Sequence, residues 1–380
     1  MQCAIKKTAY HSWCAGELPK GCKECVEGKK LVLFITGFCA QRCWYCPVSE
    51  EKFGKDVVFA NEWQIKNPEN PTELFEEARL TDATGAGITG GDPLVMIDRC
   101  AKYIRLLKTR YGKKFHIHLY TPLRLVTEER LKKLSDAGLD EIRFHPRLDD
   151  KTYWPKLKLA KAYNWKIGVE IPAIPGLEQE TKTLIDYIKD KVSFLNLNEL
   201  ERSDTSTEHY ELDKKGYKQR SKLSYAIKGS RELSLKLAEY ARKKKLDVHV
   251  CTAKLKDAVQ VQQRLKLRAK NVKLPFDECT EDGLLIRGCL YAKGLEPGLH
   301  YKKRRMLANE QQAIKTLKTT LSELRAQKIP CEIDTTRFRL IVPLTVVYAK
   351  YRSLKKKDLI PAIVEEFPTS DSMLVNVDIL

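Results

Sequence analysis

The feature that most constrains the fold is a regular alternation of short apolar strands with amphipathic helices. Strands are expected at 31–36, 85–89, 115–120, 141–145, 166–171, 194–200 and 247–251, and helices at 96–111, 127–137, 178–191 and 230–245. A repeating strand–helix unit packs as a parallel sheet covered by its helices, so the fold class is α/β.

At 380 residues the chain is long for one ordinary domain and short for three, which leaves one large domain with additions, or two domains. With 43% apolar and 31% charged residues it is neither disordered nor membrane-embedded, and no apolar run approaches the roughly 20 residues a bilayer span needs. The first residues lack the apolar core of a secretory signal, so a soluble cytoplasmic protein with no membrane partner is expected. Twelve cysteines in such a compartment point to metal or redox chemistry rather than to structural disulfides.

Seven of those cysteines precede residue 47, and the sharpest pattern is Cys39-Ala-Gln-Arg-Cys43-Trp-Tyr-Cys46, directly after the first expected strand. Three thiolates in one tight loop suit three irons of a cubane cluster and leave the fourth iron open to a ligand. The alternative is an incomplete zinc knuckle. Downstream, the strand at 85–89 runs into Gly90-Gly91-Asp92-Pro93.

On these residues the chain resembles the radical S-adenosylmethionine (SAM) superfamily, whose signature is C-x3-C-x2-C with an aromatic residue before the last cysteine, here Tyr45. The Gly-Gly-Asp-Pro segment is similar to that family's GGEP motif, with Asp in place of Glu. Over its length the chain is similar to archaeal members described as related to pyruvate formate-lyase activating enzyme. The resemblance implies a partial (β/α)6 barrel, a 4Fe-4S cluster on Cys39, Cys43 and Cys46, and SAM bound near Gly90, Gly91, Asp92 and Pro93. It also implies that Arg143 and Glu170 contact the SAM carboxylate and ribose; Arg143 on the outer face, paired with a helix carboxylate, is the alternative. The histidines at 116, 118 and 145 are expected to be structural.

A second cysteine set, His11-x2-Cys14-x7-Cys22-x2-Cys25, has a zinc-like spacing with a longer central loop. Zinc, an auxiliary iron-sulfur cluster and unliganded thiols remain alternatives, with Cys3 and Cys251 as outside ligands.

The formal charge is +19, and it is uneven: residues 201–380 hold 37 basic and 23 acidic residues, against 32 and 27 before them. Lys254, Lys256, Arg264, Lys266, Arg268, Lys270 and Lys273 make one cationic face, and Lys302, Lys303, Arg304 and Arg305 make a second cluster. Such an excess favours a polyanionic partner, read here as RNA and most simply tRNA, although a lysine-rich, heat-adapted surface gives the same composition. The last hundred residues read as strand 284–291, helix 308–327, strands 331–334 and 338–342, helix 357–366 and strand 374–379, a ferredoxin-like α+β order. The expected domains are therefore a Cys-rich metal-binding extension at 1–30, the barrel at 31–275 and the α+β domain at 284–380.

The leading expectation is a radical SAM enzyme that modifies RNA, reduced by a ferredoxin or flavodoxin. The alternatives are an activating enzyme that generates a glycyl radical on a protein partner, and a metal-binding, nucleic-acid-binding protein without catalysis.

Overall fold

The computed structural model describes residues 4–355 and 357–380, without the Lys302 side chain. Cys3 lies outside the described residues. The chain divides into two compact units, one running to Arg264 and the other Leu265–Leu380.

The first unit is built on seven parallel strands that neighbour one another in chain order: β1 Lys30–Phe34, β2 Gly85–Thr89, β3 His116–Thr121, β4 Glu141–Phe144, β5 Lys166–Ala173, β6 Phe194–Glu199 and β7 Asp247–Cys251. Phe59–Ala60 and Trp63–Gln64 extend the sheet antiparallel beside β1. At the other margin, Trp13–Ala15 pairs antiparallel with β7, and Lys6–Lys7 pairs with that segment. The helices are α1 Lys20–Val26, α2 Thr72–Leu80, α3 Ile97–Tyr111, α4 Glu128–Ala137, α5 Glu178–Ile188 and α6 Ser230–Lys243. Local signals set their ends: Thr127 Oγ1 accepts the Arg130 N–H at the start of α4, and Gly138 closes it in the left-handed region.

Strands buried on both faces usually read as unbroken apolar runs. Here they alternate. Ile117, Leu119, Ile142, Val169, Ile171, Leu195, Leu197, Val248 and Val250 belong to one apolar core with the helices. The residues between them, including His116, His118, Glu141, Arg143, Asn196 and His249, are buried too, but polar. Helix α1 lies against this polar face so closely that a Cβ on Gly21 would fall 2.5 Å from His118 Nδ1 and 2.8 Å from Arg143 Nη2. Residues 1–30 are thus no detached extension, since their described part completes the sheet margin and covers its inner face.

In the second unit β8 Leu285–Ala292, α8 Glu310–Ala326, β9 Glu332–Asp334, β10 Arg339–Val342, α9 Leu344–Lys355, β11 Leu359–Glu366 and β12 Leu374–Ile379 form an antiparallel sheet of order β9-β10-β8-β11-β12 beside its helices. Helix α7, Gln262–Val272, precedes them. Leu290, Leu317, Leu324, Leu340, Val347, Leu354 and Leu359 are the core.

Two expectations are corrected. The segment 357–366, expected as a helix, is strand β11: Leu359, Pro361 and Ala362 pair with β8, and the register continues through Glu366. The helix is α9, which begins immediately after Pro343; its β-branched Thr345, Val346 and Val347 disfavour a helix by propensity, but burial of Val347 and Leu354 at a two-turn spacing outweighs that. The second unit also starts earlier than 276–283. Asp277 holds the Arg287 guanidinium at 2.8–2.9 Å, and Arg268 donates to the Pro368 carbonyl at 2.9 Å, so residues before 284 are built into it.

Candidate active site

The cysteine loop leaves the C-terminal end of β1, the end at which open α/β sheets carry their ligands. Gly37 begins it because nothing larger fits: a Cβ there would lie 1.6 Å from the Lys52 carbonyl oxygen. Gly37 N donates to Lys55 O at 2.8 Å, and Gly54 N donates to Gly37 O at 2.9 Å. Arg124 holds the Ala40 carbonyl at 3.0 Å.

Cys39, Cys43 and Cys46 are half-buried and free of disulfides. Gln41 N donates to Cys39 Sγ at 3.3 Å. Burial pushes the Cys39 thiol up to about 12 and the Cys43 thiol up to about 11, and raises Cys46 as well. A metal binding to these thiols would displace their protons. Among the described residues no three His, Cys, Asp or Glu side chains converge on a single metal ion. A cubane needs one thiolate for each of three irons, so three separate half-buried thiols in one short loop fit it. A depression of about 430 Å³ borders Cys39, lined among others by Arg42, Phe53 and Arg130.

The rest of the loop is tied down by the polar segment at 203–217, which carries no motif. Ser203 Oγ donates to Pro47 O at 2.9 Å, Thr205 Oγ1 to Val48 O at 3.0 Å, and Glu211 N to Trp44 O at 2.8 Å. Trp44 stacks on Tyr217 with ring centroids 5.5 Å apart. Tyr45 is anchored to the sheet instead, its hydroxyl 2.9 Å from His145 Nε2, and His145 Nδ1 lies 2.9 Å from the Glu170 carbonyl oxygen. Since Nδ1 must donate to that carbonyl and burial keeps the ring neutral, Nε2 accepts from Tyr45. The alternating sequence of β4 was the only sign that His145 would point this way.

Gly90 and Gly91 allow a close approach, and in this structure the near neighbour is the cysteine loop. Their Cβ positions would fall 2.5 Å from Thr36 O and 2.4 Å from Phe38 O, and Gly90 has φ +152°. Asp92 is not an exposed negative group beside them. Its carboxylate is fully buried, with Oδ1 accepting from Leu94 N at 3.0 Å and Thr121 Oγ1 at 2.8 Å and Oδ2 left without a hydrogen bond. Burial lifts it to about 6 despite those bonds. Pro93 follows at the first position of a short 3-10 turn.

Arg143 points to the inner face, not outward toward a helix. Its guanidinium meets Glu141 at 2.5 Å and Glu170 at 2.8 Å and lies over the Tyr120 and Phe194 rings. Glu170 also accepts from Asn196 Nδ2 at 2.8 Å and Asn198 Nδ2 at 3.1 Å. Burial would raise the Glu170 carboxyl, but Arg143 and the two amides bring it down to about 2. Both asparagines escaped the sequence reading, although Asn-Leu-Asn-Glu in β6 carries the same alternation.

Among the described residues the second cysteine set forms no group of three that could hold a metal ion, although Cys22 and Cys25 are neighbours on α1. His11 lies in the turn between the first two short strands, with φ +59°. Cys14 Sγ donates to Gly16 O at 3.6 Å, Cys22 accepts from Asn196 Nδ2 at 3.3 Å, and Cys25 is buried one turn along α1 from Cys22. Cys251 packs with Val26, Leu255 and Val259.

Several of the basic residues expected to hold phosphates are already engaged. Arg264 pairs with Glu62, Lys256 with Glu201 and Arg305 with Glu310. Arg268 is buried, and Arg304 donates to the carbonyls of Gly294, Glu296 and Leu299. Lys270 is engaged as well, and Lys254 lines a cavity of the first unit.

Residues 33–147 match the radical SAM superfamily. A Methanocaldococcus jannaschii protein, named provisionally as a glycyl-radical enzyme activating enzyme, is 46% identical over 283 residues, which cover 72% of this chain and 74% of that one. The chain belongs to the radical SAM superfamily. Solved structures show similarity at low identity. Methylornithine synthase is 12% identical, with 58% of this chain and 63% of that one covered and a TM-score of 0.39. A maturase of the FeFe hydrogenase is 13% identical, with 68% and 66% covered and a TM-score of 0.38. The radical SAM methyltransferase TsrM of Kitasatospora setae is 13% identical with a TM-score of 0.34; the alignment covers 48% of this chain and only 38% of that one.

Proposed function

We propose that this radical SAM protein is an activating enzyme that generates a glycyl radical on a protein partner in the cytoplasm, reduced by a ferredoxin or flavodoxin. The observation that carries the reading is the 46% identity, over 72% of the chain, to the provisionally named activating enzyme, in a chain whose three loop thiols suit a 4Fe-4S cluster. That relative favours it over RNA modification, and about half of the basic residues on which the RNA reading rested are engaged in internal pairs. The parallel sheet is read as the partial (β/α)6 barrel of the family, and the strand order of the second unit as ferredoxin-like with two added strands, Leu374–Ile379 and Glu278–Cys279.

When bound, the cluster and SAM would supply one-electron reductive cleavage to a 5′-deoxyadenosyl radical. Cys39, Cys43 and Cys46 would hold the cluster, and Tyr45 fixes their loop to β4 through His145. Gly90 and Gly91 set the backbone of the SAM end, and Asp92 fastens β2 to β3 by accepting from Thr121. Glu170 would face SAM, held in its charged form by Arg143, Asn196 and Asn198. Arg143, being 2% exposed, acts on that site as a positioning residue.

The test is anaerobic reconstitution, incubation with SAM, reductant and a candidate glycyl-radical protein from the same source, and electron paramagnetic resonance. A doublet on the partner that requires SAM is the expected result. Production of 5′-deoxyadenosine with no radical on any candidate protein, and with a modified RNA product instead, would return the assignment to RNA.

A further inference from the structure

At the C-terminal ends of β6 and β7 lies a cavity of about 530 Å³. Lys7, Arg220, Arg231 and Lys254 line it, with Trp13 as an apolar wall. One carboxylate, Glu199, is set among these four cations, and it is 3% exposed. Its Oε2 accepts from Ala253 N at 3.0 Å. Its Oε1 is buried with no hydrogen-bond partner, and Arg220 Nη1, at 3.9 Å, is too far to provide one. A buried acceptor left open in this way is costly unless a ligand or water completes it.

We propose that this cavity is a recognition subsite for an acidic side chain on a peptide segment of the protein partner. The carboxylate of that side chain pairs with Arg220 and Arg231, with Lys7 and Lys254 adding field, and a backbone N–H of the same segment donates to Glu199 Oε1. The proposal rests on the activating-enzyme reading, which needs a polypeptide at the C-terminal ends of these strands. A phosphate ligand fits less well. Glu199 opposes a dianion, and the cationic groups are long, separate side chains rather than a cradle of backbone N–H groups. His11 and Lys254, which the sequence suggested for metal and for RNA, both line this cavity.

The experiment is calorimetric titration of the full chain, at low salt, with the N-acetylated, C-amidated pentapeptide Gly-Glu-Gly-Glu-Gly and with its Gln counterpart. Saturable binding of the acidic peptide alone is expected, weakened by added salt and at least about tenfold by Arg220→Gln combined with Arg231→Gln. Both arginines are partly exposed, so the double variant should fold, and circular dichroism checks it. Lys7→Gln with Lys254→Gln provides a second reading in the same direction. Equal binding of the Gln peptide, indifference to both double variants, or displacement of the acidic peptide by millimolar inorganic phosphate would each overturn the proposal. The two readings fail separately. A glycyl radical formed on the partner without acidic-peptide binding removes the subsite alone, whereas peptide binding without any glycyl radical removes the activating-enzyme assignment.

Discussion

The Tyr45 hydroxyl and His145 Nε2, 2.9 Å apart, join the cysteine loop to the end of β4. Tyr45→Phe leaves that buried imidazole nitrogen without a donor, at a cost of about 1–3 kcal/mol. The variant should unfold at lower urea concentration and lose its reconstituted cluster faster, followed by the visible absorbance, while its iron content at the start stays that of the parent. Unchanged stability and an unchanged bleaching rate would mean that the hydrogen bond does not hold the loop.

Replacing Cys39, Cys43 or Cys46 singly with Ala should abolish formation of 5′-deoxyadenosine and leave far-ultraviolet circular dichroism intact, because these half-buried side chains lie outside the apolar core. Combined Cys14→Ser, Cys22→Ser and Cys25→Ser should keep the iron of one cluster per chain and gain or lose no zinc. A metal equivalent that disappears in the triple variant would restore the second site.

Acid should destabilise the first unit well above the range of ordinary carboxylates. Burial holds His118 well below its usual value and His249 down to about 4. The unfolded chain therefore binds protons that the folded chain refuses, and stability is lost as pH falls from about 7 through 6.5 toward 4, with His249 alone contributing on the order of 3 kcal/mol. Asp92 has the opposite sign: raised to about 6, it favours the folded state as pH falls below that value. Burial lowers His145 in the same sense, so the buried histidines outweigh Asp92, the melting temperature should drop between pH 7 and pH 5, and the drop should steepen in Asp92→Asn. A flat profile over that interval would contradict the burial of these rings.

Arg268→Ala tests the reassignment of the basic face. It removes a buried donor to the Pro368 carbonyl, so a stability loss of about 1–3 kcal/mol in the second unit is expected by chemical unfolding. Binding to tRNA, measured over a range of salt, should be weak and its salt slope unaltered. A slope lowered by about one unit without loss of stability would identify Arg268 as a phosphate contact.

The sequence disclosed the sheet of the first unit closely. Gly85–Thr89 and Asp247–Cys251 fall where expected, since short apolar runs between amphipathic helices leave little choice. It disclosed the cysteine loop as well, because thiol spacing is a local property. It did not disclose what surrounds that loop. Ser203, Thr205, Glu211 and Tyr217 come from a polar stretch with no periodicity, and only the folded chain brings them to Pro47, Val48 and Trp44. The error at 357–366 has a simpler cause, for Ile-Pro-Ala-Ile-Val-Glu-Glu mixes the helix formers Ala362, Glu365 and Glu366 with the strand formers Ile360, Ile363 and Val364, and pairing with β8 decides between them.

The pairing of Trp13–Ala15 with β7 has a consequence for synthesis of the chain. Its register sets Ala15 against Val248, Cys14 against His249 and Trp13 against Val250, so an early segment must wait for one that emerges after most of the first unit. At about 5–20 residues per second on the ribosome, that interval is on the order of 10–50 s. Throughout it, Cys14, Cys22 and Cys25 lack the cover of the last strand and stay open to oxidants and stray metal ions. Protein made in air should therefore carry adducts on these thiols more often than protein made without oxygen, and slower elongation in air should raise their number.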